Sequence, residues 1–308
     1  MKPSYWLASY PKSGNTWFRV LFANLQARGG EAIDLNRIRA NDSIASARGR
    51  FDQMLMIESG VLHFDEIDAL RPRLHVFLAQ MSAADDDTDE PADIDRLPFR
   101  LVKTHDSYST TLNGEPLLGG RAGAVGAILI VRDPRDIATS LANHLNCDVD
   151  TAIDYMEDTS FALAAKTKGQ SSQLRQLLTS WSGFVASWLD QRDLPVHLVR
   201  YEDLARSTDT VFAGALAFAG CRPNADAVAR CVADSTIDKL QRRESESGFR
   251  EAPRNATRFF RRGVAGAWRD ELSPAQARRI EASHGAMMAR LGYTASNESS
   301  VPRMAGGA

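Results

Sequence analysis

Apolar positions along the chain fall alternately into short continuous runs and into stripes of helical period. Tyr5 to Ser9 is a brief apolar run that stops at Tyr10-Pro11, as a buried strand entering a loop would. From Thr16 onward, Trp17, Val20, Leu21, Asn24 and Leu25 have helical spacing, and Gly29-Gly30 ends the pattern. Phe99 to Lys103 reads as a second strand. Ala127 to Val131 reads as a third, continuous and rich in β-branched residues, as a central parallel strand requires. Pro134 then stands where the first turn of a helix accepts it, with the helix running to Leu145. A helix is expected over about 172–189, a strand over Val196 to Val199, and helices after Ser207 and after Asn224. A last helix runs from Ser273-Pro274 to Leu291. Strands alternating with helices predict βαβ units and an α/β fold: one domain over residues 1–294, with a central parallel sheet flanked by helices. Residues 295–308 turn to Ser, Gly and Ala and read as a disordered tail.

Composition adds exclusions. With 308 residues, 44% of them hydrophobic, the chain can fill a large core. Its net charge of -2 argues against a nucleic-acid partner, which calls for a strongly basic face. Cys147, Cys221 and Cys231 have neither redox nor zinc spacing and read as small buried residues in a reducing compartment. No signal-peptide pattern precedes the first strand, and no apolar run reaches the roughly 20 residues that span a bilayer. A cytoplasmic protein without an integral membrane segment is therefore expected. The acidic run Asp85-Asp86-Asp87-Thr88-Asp89-Glu90 reads as a solvated loop, with metal binding the alternative.

Four segments carry chemistry. Tyr10-Pro11-Lys12-Ser13-Gly14-Asn15-Thr16-Trp17 joins the first strand to the first helix. A loop entering a helix N-terminus offers free backbone N–H groups and a positive dipole end to an anion. Gly14 permits close approach, Lys12 adds a charge, and Ser13 and Thr16 add hydroxyls. The order differs from the ATP/GTP loop, whose lysine directly follows its second glycine. Arg132-Asp133-Pro134-Arg135-Asp136 ends the third strand, with Ser140 two turns into the next helix. Two readings stay open there: bidentate phosphate recognition by Arg132 with Ser140, or a helix-start salt bridge among Arg132, Asp133 and Asp136. Arg261-Arg262-Gly263-Val264-Ala265-Gly266-Ala267-Trp268 is the third segment, and Lys103-Thr104-His105, ending the second strand, is the fourth. Histidine titrates near neutral pH and suits a general base.

In this order and spacing, roughly from Tyr5 to Trp268, the segments resemble those of the sulfotransferases that use 3′-phosphoadenosine 5′-phosphosulfate (PAPS). Asn15 stands where that family usually has Thr, Arg262 where it has Lys, and Ala267 where it has Asp. The resemblance implies a P-loop-like 5′-phosphosulfate loop at Lys12 to Trp17. It implies 3′-phosphate contacts from Arg132, Ser140, Arg261, Arg262 and Gly263. Tyr201, in Tyr201-Glu202-Asp203, would lie beside the adenine, and Ser235-Thr236 would line the nucleotide site. His105 inherits the role of catalytic base, with Lys12 and Lys103 stabilising charge on the bridging phosphate oxygen and no metal required. The implied co-substrate is PAPS. The implied partner is a small-molecule or lipid-like acceptor bearing a hydroxyl or amine, and a homodimer is open. His144, one turn beyond Ser140, faces either the acceptor or the core. Rival readings are an ATP-dependent kinase and an inactive nucleotide-binding module. The polar segment Asp238 to Phe260, without a clear apolar stripe, is expected to be a mobile lid leading into Arg261, with a permanently solvated loop as the alternative.

Overall fold

The computed structural model describes residues 2–27, 32–38, 44–81, 97–165, 171–252 and 258–294. Its central sheet has four parallel strands in the order β2-β1-β3-β6: β1 Ser4–Ser9, β2 Arg100–Thr104, β3 Gly126–Val131 and β6 Val196–Arg200. Alternate residues of β1 face opposite sides, as the strand period of two demands. Trp6 and Ala8 join Leu129, Val131, Trp181, Phe184 and Trp188 on one face. Leu7 joins Ile128, Ile130, Val199, Phe18 and Phe212 on the other. Each fully buried large apolar side chain contributes about 1.5–3 kcal/mol, so β3, buried along its whole length, anchors both faces.

The register decides where chemistry can occur. Ala8 pairs with Thr104, Ser9 with Ile130, and Val131 with Arg200, so the four carboxyl ends lie side by side. The loop at Tyr10–Trp17, then His105, Arg132 and Tyr201 all follow directly from those ends. Helix α1 (Asn15–Gln26) leaves β1, α5 (Pro134–Leu145) leaves β3, and α8 (Tyr201–Arg206) leaves β6. Helices α9 (Thr208–Phe218), α10 (Ala225–Asp234) and α13 (Pro274–Arg290) match the expected late helices. A full capping box at Ser273 and Gln276 explains why α13 starts where it does.

Two expectations need correction. The helix expected over 172–189 begins only at Trp181 (α7, Trp181–Asp190). Before it, Leu174, Gln176 and Leu178 are buried alternately, a strand period, and Gln176–Leu177 (β5) pairs antiparallel with Ala162–Leu163 (β4). Thr179, with φ of 61°, breaks the backbone, and the Ser180 hydroxyl then caps α7 through Gly183 N–H. The second concerns 238–260, whose polar character hides a helix and a few buried apolar anchors. Ile237–Ser247 is helix α11, with Leu240 buried. Phe249 and Phe260 bury beside it against Val20, Leu35 and Ile38.

Sequence periodicity also left several elements unassigned. They include α2 (Arg48–Leu55), α3 (Phe64–Met81), α4 (Gly120–Gly123), α6 (Val149–Glu157) and α12 (Trp268–Glu271), with single helical turns at Leu35–Arg37 and Ser59–Val61. Gly29-Gly30, the acidic run 85–90 and the tail 295–308 lie outside the described residues. Among the described residues, no helix is long and apolar enough to cross a membrane. Each of the three cysteines is a free thiol, and only Cys231 is fully buried.

Candidate active site

A cavity of about 1160 Å³ opens at the carboxyl ends of the strands. Open α/β sheets generally bind ligands there. Three of the four sequence segments meet through one guanidinium. Arg132, at the end of β3, donates from Nη1 to the Lys12 carbonyl at 3.3 Å and from Nη2 to the Val264 carbonyl at 3.1 Å. It also lies 4.2 Å over the Tyr201 ring, a cation–π contact. Its Nε is buried without a partner. The salt-bridge reading is partly realised: Asp136 stands 3.8 Å from Arg132, while Asp133 pairs with Arg135 at 2.7 Å.

Asp136 does more than neutralise. Its carboxylate accepts from Gly266 N–H at 2.7 Å and Trp268 N–H at 2.8 Å. The first turn of α5 thereby pins the segment that carries Arg261 to Gly263. Burial raises the Asp136 pKa, while Arg132 and the two N–H donors oppose that rise.

The loop after β1 is shaped for an anion. Gly14 caps α1 with φ of 101°; no side chain caps the helix, and its first turn holds no acidic residue. The first N–H groups of a three-turn helix therefore face the cavity with their dipole uncompensated. A Cβ on Gly14 would lie 2.6 Å from Tyr201 Cδ2, so the close approach of loop and ring needs glycine as much as the torsion does. The Tyr201 hydroxyl donates to Gly263 O at 2.9 Å, tying that ring to the third segment. A Cβ on Gly263 would strike Ile237 at 2.7 Å.

Other predicted residues divide into those that line the cavity and those that support it. Lys12, Gly14, Asn15, Thr16 and Trp17 line it, as do Lys103, His105, Arg132, Ser140 and Tyr201. Arg261, Arg262 and Gly263 line it too, and so does His144. Ser13 does not: its hydroxyl is enclosed and unpartnered. Ser235 does not line it either. Its carbonyl accepts from Trp17 Nε1 at 2.9 Å, and its hydroxyl donates to Cys231 O at 2.6 Å. Thr236, the next residue, takes the cavity position. Asn15 looks inward, donating to Leu7 O at 3.2 Å and Ser9 Oγ at 3.1 Å, and so clamps the loop to its strand. Arg261 pairs with Glu271 at 2.7 Å, and Arg262 with Glu271 at 3.3 Å and Asp270 at 3.6 Å.

The His105 ring is held in one tautomer. Its Nδ1 donates to the Ser9 carbonyl at 2.7 Å, which leaves the lone pair of the neutral ring on Nε2. Burial first, then Lys103, push its pKa well below the usual histidine value, so the ring is neutral at pH 7. Burial also lowers Lys12 and Lys103 to about 8 each; for Lys12, Arg132 adds to the effect. The Lys12 ammonium sits 4.1 Å from the Phe259 ring centroid. Burial, with Lys12 and Lys103, lowers His144 to about 4.

Sequence reasoning missed what fixes His105 in place. The next residue, Asp106, is fully buried and takes two bonds from Arg71 of α3, at 3.0 and 2.6 Å. Thr104 Oγ1 donates to the same carboxylate at 3.1 Å, and Trp188 Nε1 donates to the Asp106 carbonyl at 3.1 Å. An isolated Asp after Lys-Thr-His gave no sign of this, because its partner lies 35 residues away on a helix that periodicity did not reveal.

The sulfotransferase-domain family model matches residues 2–292. Mouse sulfotransferase SULT7A1 complexed with PAP is 18% identical; the alignment covers 94% of this chain and 84% of that one, with a TM-score of 0.56. Retinol dehydratase in complex with androsterone and PAP is 17% identical over 99% and 84%, TM-score 0.56. The same enzyme with retinol and PAP is 18% identical over 94% and 82%, TM-score 0.52. At such identities these likenesses establish the fold. A search of curated protein sequences gave no significant match.

Proposed function

The chain belongs to the sulfotransferase domain family, and on that premise we propose that it transfers a sulfuryl group from PAPS to a hydroxyl or amine of a small-molecule or lipid-like acceptor. The observation that carries the reading is the convergence of the loop after β1, Arg132 and the Val264 segment on one guanidinium at the mouth of one cavity.

The residues present fit such a nucleotide. The uncapped N-terminus of α1, with Lys12 and Thr16, suits its 5′-phosphosulfate. Arg132, Ser140, Arg261, Arg262 and Gly263 suit a 3′-phosphate; the two exposed arginines would trade Glu271 and Asp270 for the ligand. Trp17 and Tyr201, with ring centroids 5.7 Å apart, offer aromatic surface for a base. When bound, the donor supplies an activated sulfur–oxygen bond. The neutral His105 accepts the acceptor's proton at Nε2. Lys12 and Lys103 hold positive charge against the oxygen that departs with the phosphate. The Phe249, Phe259 and Phe260 cluster gives the wall opposite Lys12 an apolar, water-excluding character.

Incubation with PAPS and a panel of alcohols, phenols, sterols, retinoids and amines, followed by mass detection, tests the reading. The expected result is one acceptor class gaining a single SO₃ group as PAP accumulates. Unchanged PAPS with every acceptor would overturn it.

A further inference from the structure

Beyond its motifs, the cavity wall holds a buried carboxylate with no part in the scheme above. Glu251 stands just past α11, and its side chain retains 14% exposure. It meets two cations from separate elements. Arg19 of α1, itself buried, donates from Nη1 at 2.7 Å, and the Lys103 ammonium stands 3.7 Å away. A carboxylate held this far from water needs partners. Burial would raise its pKa, yet Lys103 and Arg19 hold it below the usual range, so it is charged at pH 7.

We propose that Glu251 is a positioning residue for the transfer reaction, fixing the Lys103 ammonium and its protonation at the end of β2 and linking it to the segment that leads to Arg261. The inference rests on the sulfuryl-transfer reading only for the role of Lys103; the ion network itself does not depend on it.

The charge balance explains why such a group is needed. Lys103 is crowded by two cations, Arg19 facing it from α1 and Lys12 from the phosphate loop, while the neutral rings of His105 and of His144 on α5 stand nearby and add no charge at pH 7. Burial and Arg19 both favour its neutral form, and Glu251 is the counterweight that favours the cation. A neutral Lys103 could not stabilise negative charge on a departing oxygen. Glu251 reaches the cavity from the same stretch as Phe249, which packs in one cluster with Leu35 and Ile38.

Opposite substitutions separate charge control from mere packing. Glu251→Gln removes the counterweight, so Lys103 should lose its proton at lower pH. Arg19→Gln removes a competing cation and, among the described residues, leaves Glu251 paired with Lys103, so Lys103 should hold its proton to higher pH. The chain has only Lys2, Lys12, Lys103, Lys166, Lys168 and Lys239. Protein labelled with ¹³C at lysine Cε therefore gives a simple spectrum, in which Lys103 is assigned by its loss in Lys103→Arg. Titration needs neither PAPS nor an acceptor. The wild-type midpoint should lie near pH 8. It should fall by about one pH unit or more in Glu251→Gln, rise in Arg19→Gln, and return toward wild type in Glu251→Asp. In Glu251→Gln the alkaline limb of PAPS turnover should move down with it, whereas in Arg19→Gln the limb should stay where Lys12 sets it, near pH 8. Midpoints that stay put, or that move the same way in both variants, would overturn the inference. Should Glu251→Gln fail to fold, the Arg19→Gln and Glu251→Asp arms still decide. If the wild-type protein turned over no PAPS, the transfer reading would fail, while the titration would still pass judgement on Glu251.

Discussion

Two parts of one cavity wall are built differently. One part is made of residues that leave the ends of β1, β3 and β6 and is cross-wired: Arg132 to Lys12 and Val264, Tyr201 to Gly263, Asp136 to Gly266 and Trp268. The other part comes from the turn at 35–37, from Leu163 and Gln173 beside the small hairpin, and from Phe249 to Glu251. The first part depends on backbone geometry, namely an uncapped helix start, two glycines at positive φ and carbonyls held by the partly buried Arg132. Few residue types satisfy such demands, so the motifs are distinctive. On the proposed function the second part is the one that meets the acceptor; it obeys no backbone rule, so its residues can vary with the substrate. Nucleotide recognition and acceptor recognition should therefore respond separately to mutation.

The largest effect should come from the support beneath His105. Asp106→Ala leaves Arg71 buried with its main partner gone, an expected cost of about 3–5 kcal/mol. Thermal or urea unfolding should show it. A change near zero would mean that the pair does not hold the β2 end.

His105→Ala tests the division directly. The turnover number should fall roughly 10²–10⁴-fold, the usual contribution of a positioned base, with PAP affinity nearly unchanged. The pH profile sharpens the test. Because the folded pKa of His105 is depressed, the ring stays neutral below pH 6.5, so the acid limb should lie beneath that value. Lys12 and Lys103, both near 8 and needed as cations, should make the rate fall as pH rises through about 8. Near-normal turnover in His105→Ala would move the base elsewhere, with His144 the next candidate.

Arg132→Ala combined with Ser140→Ala attacks the opposite part. Each lost charge-assisted contact should cost about 1.5–3 kcal/mol of PAP binding and far less of AMP binding. Equal losses for both nucleotides by calorimetry would refute the 3′-phosphate assignment. The smallest expected effect is that of excess EDTA. Lys12, Lys103 and the α1 N–H groups supply the positive charge, so most of the rate should survive, and a collapse rescued by Mg²⁺ would favour ATP chemistry.

How far the sequence could be read follows the same division. The parallel sheet was legible, and so was the gathering of Lys12, Gly14, Lys103, His105 and Arg132 at one cavity, because strand ends, glycine and a helix start leave local signatures. Ser13 and Ser235 were misplaced because a motif names residues and not the direction of their side chains. One hydroxyl is enclosed, and the other is bonded back to its own helix. The polar look of 238–260 concealed α11, whose buried Leu240 and the Phe249 that follows the helix are too widely spaced to form a visible stripe. Asp106 and Glu251 were invisible because their partners, Arg71 and Arg19, stand 35 and 232 residues away in sequence. Whether 238–260 also orders on nucleotide binding is a matter for hydrogen exchange, with protection by PAP expected across α11.

On the proposed function, this cavity recognises a nucleotide bearing a 3′-phosphate. Thermal unfolding of the wild-type protein with PAP, with AMP, and with ATP plus Mg²⁺ puts that recognition to the test. PAP should raise the midpoint well beyond AMP, since ligands that bind only the folded state stabilise it in proportion to the logarithm of their saturation. ATP with Mg²⁺ should do no more than AMP. Stabilisation by ATP with Mg²⁺ equal to that by PAP, or PAP no better than AMP, would contradict the account.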